Sequence, residues 1–309
     1  MYLSCGNVFS EDNILTLTVT RRCNLSCRNC PLLKKRCSML FSTAKQSLSL
    51  FSNSALDPGG FLIRLFGGEP LLEFETVKKI YVYSKKVAAR QKRPVFLNLT
   101  TNGLLLTEEK INFFRSLSNF EIIVNSNTFS NRGGLSSLFL LSHLSLNFFI
   151  DRHSLRNLEE RFFNFLRLGF RSFNFLPSYF AYWDQVSIRK IASALKRISI
   201  FINKFGADFN IKVKNKFNLG SVPLFNQNVT VDCNGDIFPS NVFLAKPFIE
   251  YAKEFKLGNV NSVRSFESIK RMMRNADLGN IVKKCTPFRV LKSTHTIDNK
   301  LTEFISTLN

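Results

Sequence analysis

The chain has 309 residues, 45% of them apolar and 33 of them Phe, and its 43 Lys and Arg against 22 Asp and Glu leave a formal net charge of +21. No stretch approaches the roughly 20 uninterrupted apolar residues that span a bilayer, and Met1-Tyr2-Leu3-Ser4-Cys5 lacks the basic and apolar segments of a secretory or transit signal, so a cytoplasmic protein with no membrane partner is expected. Seven cysteines, three within eight residues, suit a reducing compartment and a metal better than a disulfide framework, and three scattered histidines (His143, His153, His295) argue against a His-ligated single ion.

In chain order, β-branched and aromatic runs predict strands over 14–20, 61–66, 95–100, 120–124, 146–150 and 173–176. Helical patterns fall between them at about 43–52, 73–90, 107–117, 133–142 and 155–168. Such alternation predicts parallel strands joined by right-handed crossovers. Thr107 ahead of Glu108 and Glu109 is a helix start, with a cap for free amides and acids at the positive end of the dipole. A longer helix follows, with Ile188, Ile191, Leu195, Ile198 and Ile202 on one buried stripe. From about 215 the pattern changes: Val229 to Phe238 reads as a hairpin turning at Asn234-Gly235, where positive φ is tolerated.

Cys23, Cys27 and Cys30 follow the first strand directly, on a loop at its carboxyl end, where α/β folds place chemistry. C-x3-C-x2-C lets one loop offer three thiolates to three irons of a cubane and leave the fourth open. The spacing alone also fits half of a zinc knuckle, although Cys37 stands alone and the next cysteine is Cys233.

This loop resembles the signature of the radical S-adenosylmethionine (SAM) superfamily, and further motifs follow in that family's order. Gly67-Gly68-Glu69-Pro70 ends the second strand and is similar to the family's GGEP loop, and Thr101-Asn102-Gly103 ends the third. The resemblance implies a partial (β/α)6 TIM-like barrel holding one 4Fe-4S cluster on Cys23, Cys27 and Cys30. Gly67, Gly68, Glu69, Pro70, Thr101, Asn102, Ser126 and Arg152 would line the SAM site: Glu69 on the amino group, Ser126 and Arg152 toward the carboxylate. It departs from the family at Asn29, where an aromatic residue usually helps to seat adenine.

The tail from Thr230 through Leu257-Gly258-Asn259 to Cys285 resembles the SPASM or twitch extension of peptide-modifying members. Ser240 stands where that hairpin usually ends in Cys, so a degenerate extension without a second cluster is expected, with the barrel over 1–210 and the small α+β extension over 211–309. Cys233 and Cys285 are core residues on this reading, with Cys233 also a candidate catalytic hydrogen donor. The implied enzyme cleaves SAM reductively to a 5′-deoxyadenosyl radical that takes hydrogen from a peptide or protein, fed by a reduced flavodoxin- or ferredoxin-type donor. Modification of a nucleic acid or small metabolite, favoured by the positive charge, stays open, as does a non-catalytic basic metal-binding protein. Only about a dozen residues precede the first expected strand, so no separate N-terminal peptide-binding domain is expected.

Overall fold

The computed structural model describes residues 2–308 apart from 28–29, 55–56, 130–135, 153, 179–180, 218–227 and 276–277. The chain opens with a hairpin, β1 (Tyr2–Ser4) and β2 (Asn7–Phe9), and then enters the expected alternation. This runs β3 (Ile14–Thr20), α1 (Phe41–Ser54), β4 (Phe61–Gly67), α2 (Phe74–Gln91), β5 (Val95–Thr101), α3 (Glu108–Arg115), β6 (Phe120–Asn125), β7 (Leu144–Ile150), α4 (Leu158–Leu168), β8 (Ser172–Pro177) and α5 (Gln185–Phe205). The remainder is β9 (Lys212–Val213), β10 (Val229–Val231), β11 (Asp236–Phe238), β12 (Gly258–Asn259), α6 (Phe266–Asn275), α7 (Leu278–Cys285) and α8 (Phe288–Ser306).

β3 to β8 pair in sequence order and all in parallel, the arrangement the crossovers demand. Alternation along each strand decides its two faces. Leu15, Leu17 and Val19 of β3, Ile63 and Leu65 of β4 and Leu97 and Leu99 of β5 join one core with Leu48, Phe51, Ile80 and Val87 of the covering helices. The other face carries a polar layer. The registers set Thr16, Arg64, Asn98 and Glu121 side by side across β3 to β6. Glu121 is buried there with Lys214, 2.6 Å from its Oε1, while its Oε2 accepts from Ser4 Oγ at 2.6 Å. The opening hairpin thereby closes the amino-terminal end of the barrel, where Cys5 and Phe9 pack on Ile14, Leu62 and Phe96. Burial pushes the Cys5 thiol up to about 12, so it is inert filling.

The residues after 210 extend both edges of this sheet. β9 adds in parallel to β8, and β10 adds in parallel to β3, pairing Val229, Thr230 and Val231 with Leu15, Thr16 and Leu17. β11 and β12 follow antiparallel, giving one open ten-stranded sheet.

Several expectations need adjusting. The helix expected over 133–142 is a short 3-10 turn, Ser136–Leu140, anchored by buried Leu138, and the first residues of that span lie outside the described ones. In the β10–β11 turn only Gly235 takes positive φ (+87°); Asn234 instead accepts the Asp236 N–H through Oδ1. The buried stripe of α5 is as expected from Ile188 to Ile198, and α8 lies along it through Ile297, Leu301 and Phe304. Among the described residues no helix is long and apolar enough to cross a membrane.

Candidate functional site

Four loops at the carboxyl ends of β3 to β6, with β7 and α4 alongside, build the site. The first leaves β3 at Thr20 and carries Cys23, Cys27 and Cys30, all half-buried and none in a disulfide. Cys23 Sγ receives the Leu25 N–H at 3.4 Å, and the Cys30 N–H reaches Cys27 O at 3.2 Å. Burial raises the Cys23 pKa. Cys30 and Cys285 both pack against a second apolar cluster that includes Leu32, Phe243, Leu244 and Phe248. Asn29, the departure expected to bear on adenine, lies outside the described residues.

The loop after β4 is fused to this one. A Cβ on Gly67 would stand 2.1 Å from Thr20 O, and one on Gly68 2.0 Å from Arg22 O. The same carbonyls accept the N–H groups of Gly68 (2.8 Å) and Glu69 (2.9 Å). The glycine pair is thus required by backbone packing against the cysteine loop, a stronger constraint than the ligand approach expected of it.

Glu69 is wholly buried behind that weld. Its Oε1 accepts from Leu71 N (3.0 Å) and Thr101 Oγ1 (2.9 Å), and its Oε2 from Asn102 N (2.8 Å). Burial nevertheless raises its pKa above the ordinary carboxylate value, outweighing these donors. Pro70 opens the 3-10 turn that Glu69 caps. Asn102 ties the third loop to the first, with Nδ2 2.8 Å from Asn24 Oδ1 and 4.0 Å from Cys23 Sγ. Cys23, Glu69, Thr101 and Asn102 therefore form one connected constellation, as the motif order implies.

Ser126, at the end of β6, accepts the Phe149 N–H at 2.9 Å. The arginine beside it is Arg161 on α4, which the sequence reading passed over. Its Nη2 lies 3.5 Å from Ser126 Oγ and its Nη1 3.2 Å from Phe149 O, with the guanidinium over the Phe148 ring and its pKa lowered by burial. Arg152 is drawn away instead, into an exposed ion pair with Asp184, the residue that caps α5. That carboxyl is held down to about 2 by the Ser187 N–H and by Arg152. Sequence position could not separate two arginines nine residues apart; burial does.

Cys233 is likewise corrected. It is disulfide-bonded to Cys37, so in this form it has no S–H hydrogen to donate, and Cys37 does not stand alone. The strand addition of β10 to β3, invisible in local patterning, brings the two together. Ser240, in the position expected for a cysteine, caps the turn at Asn241–Leu244 through the Val242 N–H.

Among the described residues no three His, Cys, Asp or Glu side chains converge tightly enough to grip a single ion. Three free thiols arrayed along one loop instead suit a polynuclear cluster that takes one thiolate per iron, so the donor set fits a 4Fe-4S group.

Residues 17–203 match the family model of the radical SAM superfamily. A GTP 3′,8-cyclase of Campylobacter jejuni (serotype O:6, strain 81116) is 36% identical over 100 residues, 31% of this chain and 29% of that protein. Its counterpart in Campylobacter curvus is 38% identical over 96 residues, 30% and 28% of the two chains. The match thus spans less than a third of those relatives' length. A structure described as anSMEcpe with bound AdoMet superposes with a TM-score of 0.73 at 15% identity, over 94% of this chain and 96% of the other. Streptococcus suis SuiB bound to the precursor peptide SuiA gives 0.58 at 13% identity, over 77% and 61%.

Proposed function

The chain belongs to the radical SAM superfamily, whose enzymes use a 4Fe-4S cluster and SAM, and from that premise we propose that it modifies a peptide or protein. Cys23, Cys27 and Cys30 would hold the cluster. Glu69 would take the amino group of SAM, Ser126 and Arg161 its carboxylate, and Thr101 and Asn102 would hold the wall between them. When bound, the group supplies an electron that opens a sulfur–carbon bond of SAM and so a carbon radical for hydrogen abstraction.

The observation that carries the site is Glu69. It is a buried carboxylate whose hydrogen-bond donors among the described residues are all neutral, and its ionised form is still disfavoured despite the field of Lys110, a cost that an ammonium group would relieve. The chain's own part is then positioning: the Gly67–Gly68 weld fixes Glu69 against the cysteine loop, and the Ser126–Arg161 pair would hold the carboxylate on the same carbon as the amino group. Exclusion of water falls to the buried neighbours Leu71 and Thr101.

The peptide reading draws on the superposition over nearly the whole of anSMEcpe, C-terminal segment included, and on that protein's structure with a peptide bound. A second reading, a nucleotide or other small anionic substrate, is favoured by the identity to GTP 3′,8-cyclase and by the net charge.

Anaerobically reconstituted protein should bind iron and sulfide and, reduced by dithionite in place of a flavodoxin- or ferredoxin-type donor, release 5′-deoxyadenosine from SAM. A reconstituted chain that leaves SAM intact defeats the enzymatic assignment. Deuterium carried into 5′-deoxyadenosine from labelled candidate peptides, and not from labelled GTP, supports the first reading; the converse supports the second.

A further inference from the structure

Cys37 and Cys233 lie 196 residues apart and are joined by a disulfide whose surroundings give it a particular place. Cys37 ends the return from the cysteine loop, and its carbonyl accepts the Arg21 N–H at 2.8 Å and the Thr20 hydroxyl at 2.9 Å. Cys233 sits in the β10–β11 turn directly after Asp232, whose carboxylate takes the Arg21 guanidinium at 2.9 and 2.6 Å. Arg21 before the loop and Cys37 after it are therefore fastened to two adjacent residues of one turn. Closer to the thiols, the return strand is pinned again: Leu33 N donates to Leu244 O (3.0 Å) and Lys246 N to Pro31 O (2.8 Å).

We infer that Cys37 and Cys233 form a reversible redox clamp that keeps the cysteine loop closed and slows loss of its iron when conditions turn oxidising. This rests on Cys23, Cys27 and Cys30 being the cluster ligands. Closing the clamp removes two electrons and two protons from the two thiols and passes them to a low-molecular-weight disulfide, which leaves as two thiols. Opening reverses this with a small dithiol, which leaves as its cyclic disulfide. Attack enters at Cys37, which is half-buried, because Cys233 is only 4% exposed. Once closed, the pair is also withdrawn from exchange with the three ligand thiols. The Arg21–Asp232 ion pair survives in both states, so opening loosens the loop without releasing it.

The test uses the full chain, loaded anaerobically with cluster and then exposed to oxidised glutathione. Peptide mapping without reductant should find Cys37 linked to Cys233, and iron transfer to a chelator should be about tenfold faster for the Cys37→Ala/Cys233→Ala double variant, the scale on which groups outside the ligand set act on metal retention. Should that variant fail to fold, wild type opened with dithiothreitol and blocked with iodoacetamide is compared instead. Free Cys37 and Cys233 after oxidation, or equal iron release with the clamp open and closed, overturns the clamp alone. A wild-type chain that takes up no iron overturns the ligand assignment and the clamp with it.

Discussion

Replacing Glu69 by Gln exchanges one carboxylate oxygen for an amide NH2 in a pocket where every close partner, Leu71 N, Thr101 Oγ1 and Asn102 N, is a donor. The variant loses both the charge and one acceptor. A hydrogen bond to a charged group contributes about 1.5–3 kcal/mol, which corresponds to SAM binding weakened roughly ten- to hundredfold. Equilibrium dialysis of labelled SAM against reconstituted protein reads this directly. Iron content is the control, since among the described residues no hydrogen bond joins Glu69 to Cys23, Cys27 or Cys30. Equal SAM affinity at equal iron content would refute the reasoning. The pH dependence has a definite sign. Burial raises the folded pKa of Glu69, so its contribution to stability is full below the ordinary carboxylate value and is lost as pH rises through the raised one. An ammonium partner needs the ionised form, so SAM affinity climbs with pH across that window, and Glu69→Gln flattens the climb.

Arg161→Met should weaken SAM binding about tenfold or more by removing a half-buried charged donor, whereas Arg152→Met should leave it unchanged and only speed amide exchange at the start of α5. Gly68→Ala drives a Cβ to 2.0 Å from Arg22 O, costing about 1–3 kcal/mol in urea unfolding with iron content falling alongside. Glu121→Ala removes the buried carboxylate 2.6 Å from Lys214, whose side chain is 4% exposed, and should cost about 3–5 kcal/mol; a stability loss below 1 kcal/mol would show that water or other contacts compensate the ammonium.

The six parallel strands, most of their helices and the three-thiol loop were legible because each is a local pattern: β-branched runs, a 3.6-residue stripe on α5, a cap at Thr107 that accepts the Lys110 N–H as anticipated. Glu69, Thr101 and Asn102 could be assembled because each follows directly from a strand end. What local pattern does not carry is which distant segment lies alongside. Nothing near Tyr2 announces a plug for the barrel floor, and nothing near Cys37 points 196 residues ahead. Arg152 is expected at the pocket for its place at a strand end, but Asp184, which caps α5, draws it away. The tail is expected to be α+β without its helices being placed: α6 and α7 are short, while α8, at 19 residues, is long enough to show a stripe.

The pairing of β10 with β3 has a consequence for when the site can exist during synthesis. The strand that launches the cysteine loop gains its outer neighbour from Val229–Val231, and the loop's flanks gain further ties from Asp232 and Cys233. On the ribosome, which delivers chains amino-terminus first, β3 waits for more than two hundred residues before its wall is whole. Contacts of such separation form late. Iron delivered early meets three thiols on a loop held by Gly68, Glu69 and Asn102 but not yet by Asp232 and Cys233, so delivery timed after the β10–β11 turn has emerged, or a holding factor before it, is what this topology asks of the cell.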